Sequence, residues 1–250
     1  MKKQLKSLKY FFGENELKKK TRAWIDSYSP YLSDENLCSL FTKNFDESPT
    51  LFEIQGNARW VMESLMINYY HNEAFIKSAF ISELRSHNSI SFFELPVGNS
   101  RTDLCSINGN SIAYEIKTIA DTTKRLEKQM DDYMKAFEYV YVICPYEKLN
   151  DVQRIVPIDV GIYLYDDKVS KPVFIKIKEA KLSTQLDRDT QISVLRKNEK
   201  PIFVEKMSNQ EVNSLFKKAL KARYKNRWNW FCENLKQFNR LDYQYHFNNF

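Results

Sequence analysis

The chain has 250 residues, of which 43% are hydrophobic and 14% aromatic, so it can bury a core and lacks the composition of a disordered protein. Its net charge of +6 is a mild excess that is compatible with a polyanionic partner such as nucleic acid. The five glycines are too few for a loop-rich or all-β protein, and a mixed α and β fold is predicted.

The cysteines and the apolar runs exclude two further classes of protein. The four cysteines are scattered, with no CxxC pair, so we expect buried free thiols rather than a structural zinc site. No run approaches the roughly 18 apolar residues that a membrane span requires. We therefore expect a soluble protein of the reducing cytoplasm that has no membrane contact.

Residues 1–69 are predicted to form an N-terminal helical region. A helix is predicted over 15–28, which carries the basic run Lys18-Lys19-Lys20, and Pro30 interrupts it. Ser33 then has the position of an N-cap for a short second helix. The stretch 58–70, which is rich in apolar residues, predicts a mostly buried helix.

Residues 70–180 are predicted to form an α/β core. The apolar spacing over 72–85 indicates a helix, and the charged amphipathic stretch 121–138 indicates another. Strand patterns occur at 91–95, 102–107, 111–117 and 139–144, and two more edge strands are indicated at 160–165 and 172–178. Asn108-Gly109-Asn110 predicts a hairpin between the second and third strands. The resulting order is helix, three strands, helix, strand.

Residues 181–250 return to helix and are predicted to pack on this core. Ser208 and Glu211 form a capping-box pattern at the start of a helix. The basic residues of that helix are Lys217, Lys218, Lys221, Arg223, Lys225 and Arg227. They are interpreted either as a solvated helix face or as a surface for the DNA backbone, and both interpretations stay open.

The residues that indicate chemistry are Asp103, Glu115 and Lys117. Eleven residues separate Asp103 from Glu115, and the predicted hairpin brings the two onto neighbouring strands. Side chains alternate along a strand, so Glu115 and Lys117 point to one face while Ile116 points into the core. The carboxylates of Asp103 and Glu115 can then share a cation.

Such a cluster has the ligands that phosphodiester hydrolysis requires. Carboxylate oxygens bind Mg²⁺ or Mn²⁺, and the bound metal lowers the pKa of a water and neutralises charge on the phosphate. Lys117 would orient or deprotonate that water and offset charge in the transition state. The carbonyl of Ile116 is a further candidate ligand.

This combination resembles the PD-(D/E)XK nuclease superfamily, which includes many restriction enzymes and RecB-type nucleases. The resemblance covers roughly residues 70–145 and implies a restriction-endonuclease-like αβββαβ core, here with N- and C-terminal helical extensions. The second motif is Glu115-Ile116-Lys117, whereas the first is Thr102-Asp103 instead of Pro-Asp. Members usually add a glutamate from the preceding helix. Glu73 has the expected place, and Glu94 in the first strand competes for this metal-binding role.

The helix predicted over 121–138 adds to the resemblance. Asp121, Arg125, Gln129 and Tyr133 recur every four residues and are predicted to form one stripe. Gln129 and Tyr133 are similar to the QxxxY motif of RecB-like nucleases, which implies that both residues face the active site. The residues expected to contact phosphates are Arg101, Lys124, Arg125 and Lys128. The run around them resembles a small branch found in bacteria and on phages or mobile elements.

The resemblance implies an Mg²⁺- or Mn²⁺-dependent nuclease, with DNA favoured over RNA by analogy and endonucleolytic cleavage expected. A different class of function is a nucleic-acid-binding or protein-interaction module on a nuclease scaffold that no longer cuts. A third hypothesis is a defence, toxin or mobile-element effector. A homodimer or a protein partner is compatible with each of them, and the sequence leaves this open.

Overall fold

The computed structural model describes residues 2–45, 58–86, 89–166 and 168–249. Its centre is a six-stranded mixed sheet with the strand order β1-β4-β5-β6-β7-β8, and β2 and β3 form a separate small hairpin. The strands are β1 (Ile90–Phe93), β2 (Pro96–Val97), β3 (Ser100–Arg101), β4 (Leu104–Asn108), β5 (Asn110–Ile116), β6 (Tyr139–Pro145), β7 (Gly161–Tyr165) and β8 (Ile175–Lys178). Strands β1, β4 and β5 are antiparallel, β5, β6 and β7 are parallel, and β8 is antiparallel to β7. The predicted α/β class and the six predicted strands are confirmed.

Helices surround this sheet in all three segments of the chain. They are α1 (Lys2–Phe12), α2 (Glu14–Asp26), α3 (Asp34–Phe45), α4 (Ala58–Tyr69), α5 (Glu73–Ser86), α6 (Leu126–Ala136), α7 (Leu149–Ile155), α8 (Arg188–Val194), α9 (Asn209–Asn234) and α10 (Tyr243–Asn248). The two predicted helix starts are confirmed: the Ser33 hydroxyl accepts the Asn36 N–H at 3.2 Å, and Ser208 and Glu211 form a capping box at the start of α9.

Helices α5 and α6 lie on opposite faces of the sheet. Phe80 of α5 meets the Tyr114 ring edge-to-face, with the ring centroids 5.1 Å apart. Tyr133 of α6 instead reaches Glu115, the next residue of β5. Since consecutive side chains of a strand point to opposite faces, the two helices must cover different sides. The end of β5 is therefore enclosed from both directions.

The predicted helix over 121–138 is shorter in the structure, because α6 begins at Leu126. The Asp121 carboxylate accepts the Thr118 N–H at 2.7 Å and the Thr118 hydroxyl at 2.8 Å. These bonds make residues 118–121 a side-chain-closed turn, which competes with helix. The prediction that Asp121 shares a helical stripe with Gln129 and Tyr133 is wrong, and Arg125 precedes the first helical residue.

The small hairpin of β2 and β3 was not predicted. Gly98 lies at its turn with φ +58, and a Cβ there would lie 2.6 Å from a carboxylate oxygen of Asp132 in α6. The Ser100 hydroxyl donates to the same carboxylate at 2.5 Å. The positive φ favours glycine at this turn, and the Ser100–Asp132 bond holds the hairpin against α6 two residues before Asp103.

The first and last segments are joined to each other and to the sheet by one hydrophobic core. The Tyr28 hydroxyl donates to Asp242, and Arg59 donates to Tyr28 at 2.6 Å and lies 3.6 Å from Asp242. In α9, the Tyr224 ring stacks on Phe92 of β1 at 4.2 Å. The described part of the chain contains no helix that is long and apolar enough to cross a membrane, and its cysteines are free thiols, with Cys105 and Cys144 buried.

Candidate active site

Asp103 lies opposite the Glu115–Lys117 motif because of the β4–β5 register. Leu104 pairs with Tyr114, so the residue before β4 meets the end of β5. Asp103 accepts the Ile116 N–H on Oδ2 at 2.6 Å, which fixes one carboxylate oxygen and leaves Oδ1 directed elsewhere. Ile116 therefore contacts the site through its backbone N–H. The role of its carbonyl as a metal ligand stays a prediction.

Glu115, Lys117, Gln129 and Tyr133 form a buried network. The Lys117 ammonium donates to Glu115 Oε1 at 2.6 Å and to Gln129 Oε1 at 3.1 Å. The Tyr133 hydroxyl lies 2.8 Å from Glu115 Oε2 and 2.5 Å from the Arg101 carbonyl. The structure therefore brings both residues of the predicted QxxxY pair into direct contact with the predicted Glu-x-Lys pair.

Burial raises the pKa of two members of this network, Glu115 and Tyr133. Glu115 is only 2% exposed, and burial raises the pKa of its carboxyl although Lys117 and Tyr133 lower it. Burial and the negative charges of Glu115 and Asp103 raise the pKa of Tyr133, so this residue stays a phenol. Its single proton is shared between two acceptors, a carboxylate oxygen and a backbone carbonyl.

A second set of acidic side chains, the carboxylate triad, consists of Glu73, Glu94 and Asp103. One oxygen from each lies within 4.8 Å of the other two. Sequence reasoning left Glu73 and Glu94 as competitors, and the structure brings both to Asp103. Glu115 is outside this group among the described residues, because its two oxygens face Lys117 and Tyr133; its role as a metal ligand stays a prediction.

The donor chemistry of the triad fits a hard divalent cation. Three carboxylate oxygens at one place are the ligands that Mg²⁺ and Mn²⁺ select. Glu94 is held there with φ +55, a conformation that costs a residue with a side chain about 1 kcal/mol or more. Its N–H donates to the Asp103 carbonyl at 3.4 Å, so the backbone itself holds these two residues together.

Lys77 is the site residue that sequence reasoning missed. Its ammonium lies 2.6 Å from Glu73, 2.5 Å from Glu94 and 3.6 Å from Asp103 Oδ1, and it donates to Gln244 at 3.1 Å. The side chain is 3% exposed. Glu73 and Lys77 are spaced like an ordinary surface pair of a helix, and only the C-terminal residues that cover Lys77 show that it is buried.

The surrounding charges shift the pKa of two groups here, Lys77 and Asp103. Burial lowers the pKa of Lys77, but Asp103, Glu73 and Glu94 outweigh it and raise the pKa above its usual value, so the ammonium stays protonated. Burial and the nearby Glu115 hold the pKa of Asp103 well above its usual range, against Lys77 and the Ile116 N–H, which lower it.

A family model described as "Bacteriophage P4 protein cII" matches residues 66–243, more than half of the chain. The chain belongs to this family. Protein cII of Enterobacteria phage P4 is 31% identical over 108 residues, which are 42% of this chain and 41% of that protein. The aligned part thus covers less than half of that relative. No solved structure matches the chain.

The region shared with the cII family contains the whole candidate site. Glu73, Lys77 and Glu94 lie in its first part, followed by Asp103 and the buried network. Residue 244, which covers Lys77, follows directly after the last matched position. The helices α1 to α3 lie before the match, so the shared region is the sheet, its flanking helices and α9.

A cavity of about 450 Å³ connects Lys77 to the surface of this cII-family protein. Its lining includes Tyr28, Tyr31, Lys77, Gln244 and Asn248, contributed by the loop between α2 and α3, by α5 and by the C-terminal segment. Tyr31 is 79% exposed, so the cavity opens to solvent on that side. Lys77 is the residue that borders both this cavity and the triad.

The predicted phosphate-contacting residues are all on the surface. Arg101, Lys124, Arg125 and Lys128 are exposed, and the carbonyl of Arg101 is bound by Tyr133. In α9, Lys217 pairs with Glu138 at 2.7 Å and Arg223 pairs with Glu199, so these two basic residues have structural partners. Lys218, Lys221 and Lys225 are exposed.

Proposed function

We propose that this protein is a metal-dependent nuclease of the PD-(D/E)XK type, which hydrolyses phosphodiester bonds with Mg²⁺ or Mn²⁺, acts on DNA in preference to RNA and cuts internally. The observation that carries the proposal is the convergence of Asp103, the Glu115–Lys117 pair, Gln129 and Tyr133 at one end of the sheet. These residues come from the ends of two neighbouring strands and from one helix, and hydrogen bonds join them at one place, which supports the proposal.

The strand arrangement supports the same proposal. Strands β1, β4 and β5 are antiparallel and β6 runs parallel to β5, with α5 before them and α6 between β5 and β6. This is the αβββαβ order that the resemblance implies, with β2 and β3 inserted before Asp103. On this ground we propose that the core is restriction-endonuclease-like.

The site residues divide into two roles under this proposal. Glu73, Glu94 and Asp103 would hold the metal ion, with Glu115 and the Ile116 carbonyl as further candidate ligands. The bound ion would supply an activated water and neutralise charge on the phosphate. Lys117 would hold that water and donate to the phosphate oxygens. Gln129 and Tyr133 keep Lys117 and Glu115 in their positions.

Plasmid and single-stranded DNA cleavage by the purified protein tests this function. Lys117→Ala and Asp103→Ala should each lose cleavage by about 10²-fold or more, because each removes a group aimed at the reacting phosphate or its metal. Cleavage should require Mg²⁺ or Mn²⁺ and stop in EDTA. Lys135→Ala is the matched control, since this lysine also lies on α6 and pairs with Asp131 at 2.7 Å, away from the buried network.

A rate that is the same in Lys117→Ala and Lys135→Ala, or cleavage that persists in EDTA, would contradict the proposal. RNA of the same sequence, assayed in parallel, tests the preference for DNA. A preparation that binds DNA but never cuts it would support the second candidate function instead.

The second candidate is a nucleic-acid-binding or protein-interaction module that no longer cuts, and one observation favours it. Lys77 fills the triad with a positive charge of the protein's own, so the carboxylates are partly neutralised without metal. The two candidates differ in whether Mn²⁺ binds at all, which isothermal titration calorimetry measures directly.

The family match to a phage protein agrees with the hypothesis of a phage or mobile-element effector. Expression of the wild type should then harm a bacterial host, and Lys117→Ala should relieve the harm. Harmless expression of an enzyme that is active in vitro would count against this role while leaving the nuclease proposal intact.

A further inference from the structure

The triad already contains a cation. The Lys77 ammonium lies within 3.6 Å of all three carboxylates, which is the place where an ion bound by the same oxygens would be centred. The lysine is the residue of α5 one turn after Glu73, and its side chain is buried. Few lysines are buried this deeply unless they are paired.

The pairing does not balance the charge. One ammonium faces three carboxylates, and Glu115 adds a further negative charge near Asp103. A cluster with this excess attracts another cation, and a divalent ion would neutralise it better than a single ammonium. However, an ammonium and a metal ion cannot occupy the same few ångströms without strong repulsion.

The surroundings of Lys77 leave space into which its ammonium can move when a metal ion binds. The lysine borders the 450 Å³ cavity that reaches the surface beside Tyr31, and its ammonium already donates to Gln244 on the cavity side. Four rotatable bonds allow the ammonium to swing while the backbone of α5 stays in place. The carboxylates can therefore exchange one cation for another without unfolding the helix.

We propose that Lys77 is an exchangeable counter-ion of the triad: it holds Glu73, Glu94 and Asp103 together in the metal-free protein and is displaced towards Gln244 and the cavity when a divalent ion binds. The proposal rests on the proposed function, because it takes the triad as the metal site. It assigns to Lys77 the role of a positioning residue that competes with the metal.

Titration of the full-length protein with Mn²⁺ by calorimetry, in the absence of nucleic acid, tests this exchange. Lys77→Met should bind Mn²⁺ about tenfold more tightly than the wild type or better, because a positive charge next to a binding site opposes a cation by about this factor. In EDTA the same variant should unfold at lower urea concentration, since it leaves three carboxylates without their partner, and Mn²⁺ should restore more stability than it adds to the wild type.

Lys217→Met is the matched control. It breaks an ion pair with Glu138 of nearly the same length, 2.7 Å, far along the chain from the triad. It should lower stability in EDTA yet leave the Mn²⁺ affinity at the wild-type value. This separates competition for the metal from a general loss of ion pairing.

Lys77→Gln provides a second variant in case the methionine variant does not fold. It keeps an N–H donor for the carboxylates but removes the charge, so it should also bind Mn²⁺ more tightly than the wild type. Recovery of folding of Lys77→Met on addition of Mn²⁺ would support the exchange as well.

Equal or weaker Mn²⁺ binding by Lys77→Met and Lys77→Gln than by the wild type would overturn the proposal, because Lys77 would then be a permanent structural partner or an aid to the metal. If the wild type and both variants all fail to bind Mn²⁺, the metal site of the proposed function fails together with it. Binding by the wild type with no gain in the variants rejects the exchange alone.

Discussion

Two buried lysines carry the positive charge of the candidate site, and their surroundings differ. Lys117 faces one carboxylate and one amide, and its partner Glu115 receives a second hydrogen bond from Tyr133. Lys77 faces three carboxylates and borders an open cavity. Charge is thus balanced around Lys117 and unbalanced around Lys77, so one half of the site is a closed unit and the other half is prepared for exchange.

The largest expected effect contrasts the glutamates of the two halves. Glu115→Ala leaves the buried Lys117 without the carboxylate that it pairs with at 2.6 Å, and such a loss costs about 3–5 kcal/mol of the free energy of unfolding. Glu73→Ala leaves Lys77 with Glu94 and Asp103, and the Glu73 side chain is 48% exposed, so less than about 1 kcal/mol should be lost.

Urea unfolding in EDTA measures both glutamate variants under the same conditions. If both variants lose a similar free energy of unfolding, the surroundings of Lys117 and Lys77 do not differ in charge balance as described.

A pH series sharpens the contrast at Asp103, which lies between the halves. Its raised pKa means that the folded protein binds a proton more tightly than the unfolded chain does. The stability from this group is therefore present at low pH and is lost as the pH rises from the ordinary aspartate pKa of about 3.9 through the raised pKa.

In EDTA, Asp103→Asn should flatten this decline, because the amide does not titrate yet still offers an oxygen to the Ile116 N–H. Asp131→Asn, an exposed aspartate of α6, should keep the wild-type profile. Unfolding curves between pH 4 and 8 give the comparison, and a slope that Asp103→Asn leaves unchanged would show that Asp103 is not the group responsible.

The smallest effects on stability are expected at the surface beside the buried network. Lys124→Ala and Lys128→Ala remove exposed side chains, so stability should change by less than about 0.5 kcal/mol. If each lysine contacts a phosphate, the slope of log affinity for DNA against log salt should fall by about 1 per residue.

Lys168→Ala is the control for this salt series, since its side chain is 81% exposed and pairs with Glu147 outside the site. If Lys124→Ala and Lys128→Ala have the same salt slope as this control, Lys124 and Lys128 do not contact the DNA.

The sequence predicted the parts of the fold that depend on local patterns. The hairpin at Asn108-Gly109-Asn110 is present, with Gly109 at φ +75 and Asn108 paired with Asn110, because a tight turn requires particular residues. The start of α6 was predicted five residues early, since the helical spacing of Asp121 is also compatible with a capped turn. The Gly98-Asn99 pair was a usable signal for the missed hairpin of β2 and β3.

The site residues on strands could be predicted from the sequence. The site residues whose positions depend on contacts between distant parts of the chain could be predicted less well. Alternation along β5 was sufficient to place Glu115 and Lys117 on one face. The grouping of Glu73 with Glu94 could be predicted only from the position of α5 relative to the end of β1. The burial of Lys77 could be predicted only from the position of α10, which contains Gln244. No local pattern contains such information, because these contacts join residues far apart in the chain.

The bond between Lys77 and Gln244 also concerns the timing of folding. It spans 167 residues, and the bond between Tyr28 and Asp242 spans 214. Contacts over such separations form late, after local helices and hairpins. During synthesis, the bond from Lys77 to Gln244 cannot form until Gln244 has left the ribosome, so a shorter nascent chain has the triad and Lys77 without this contact.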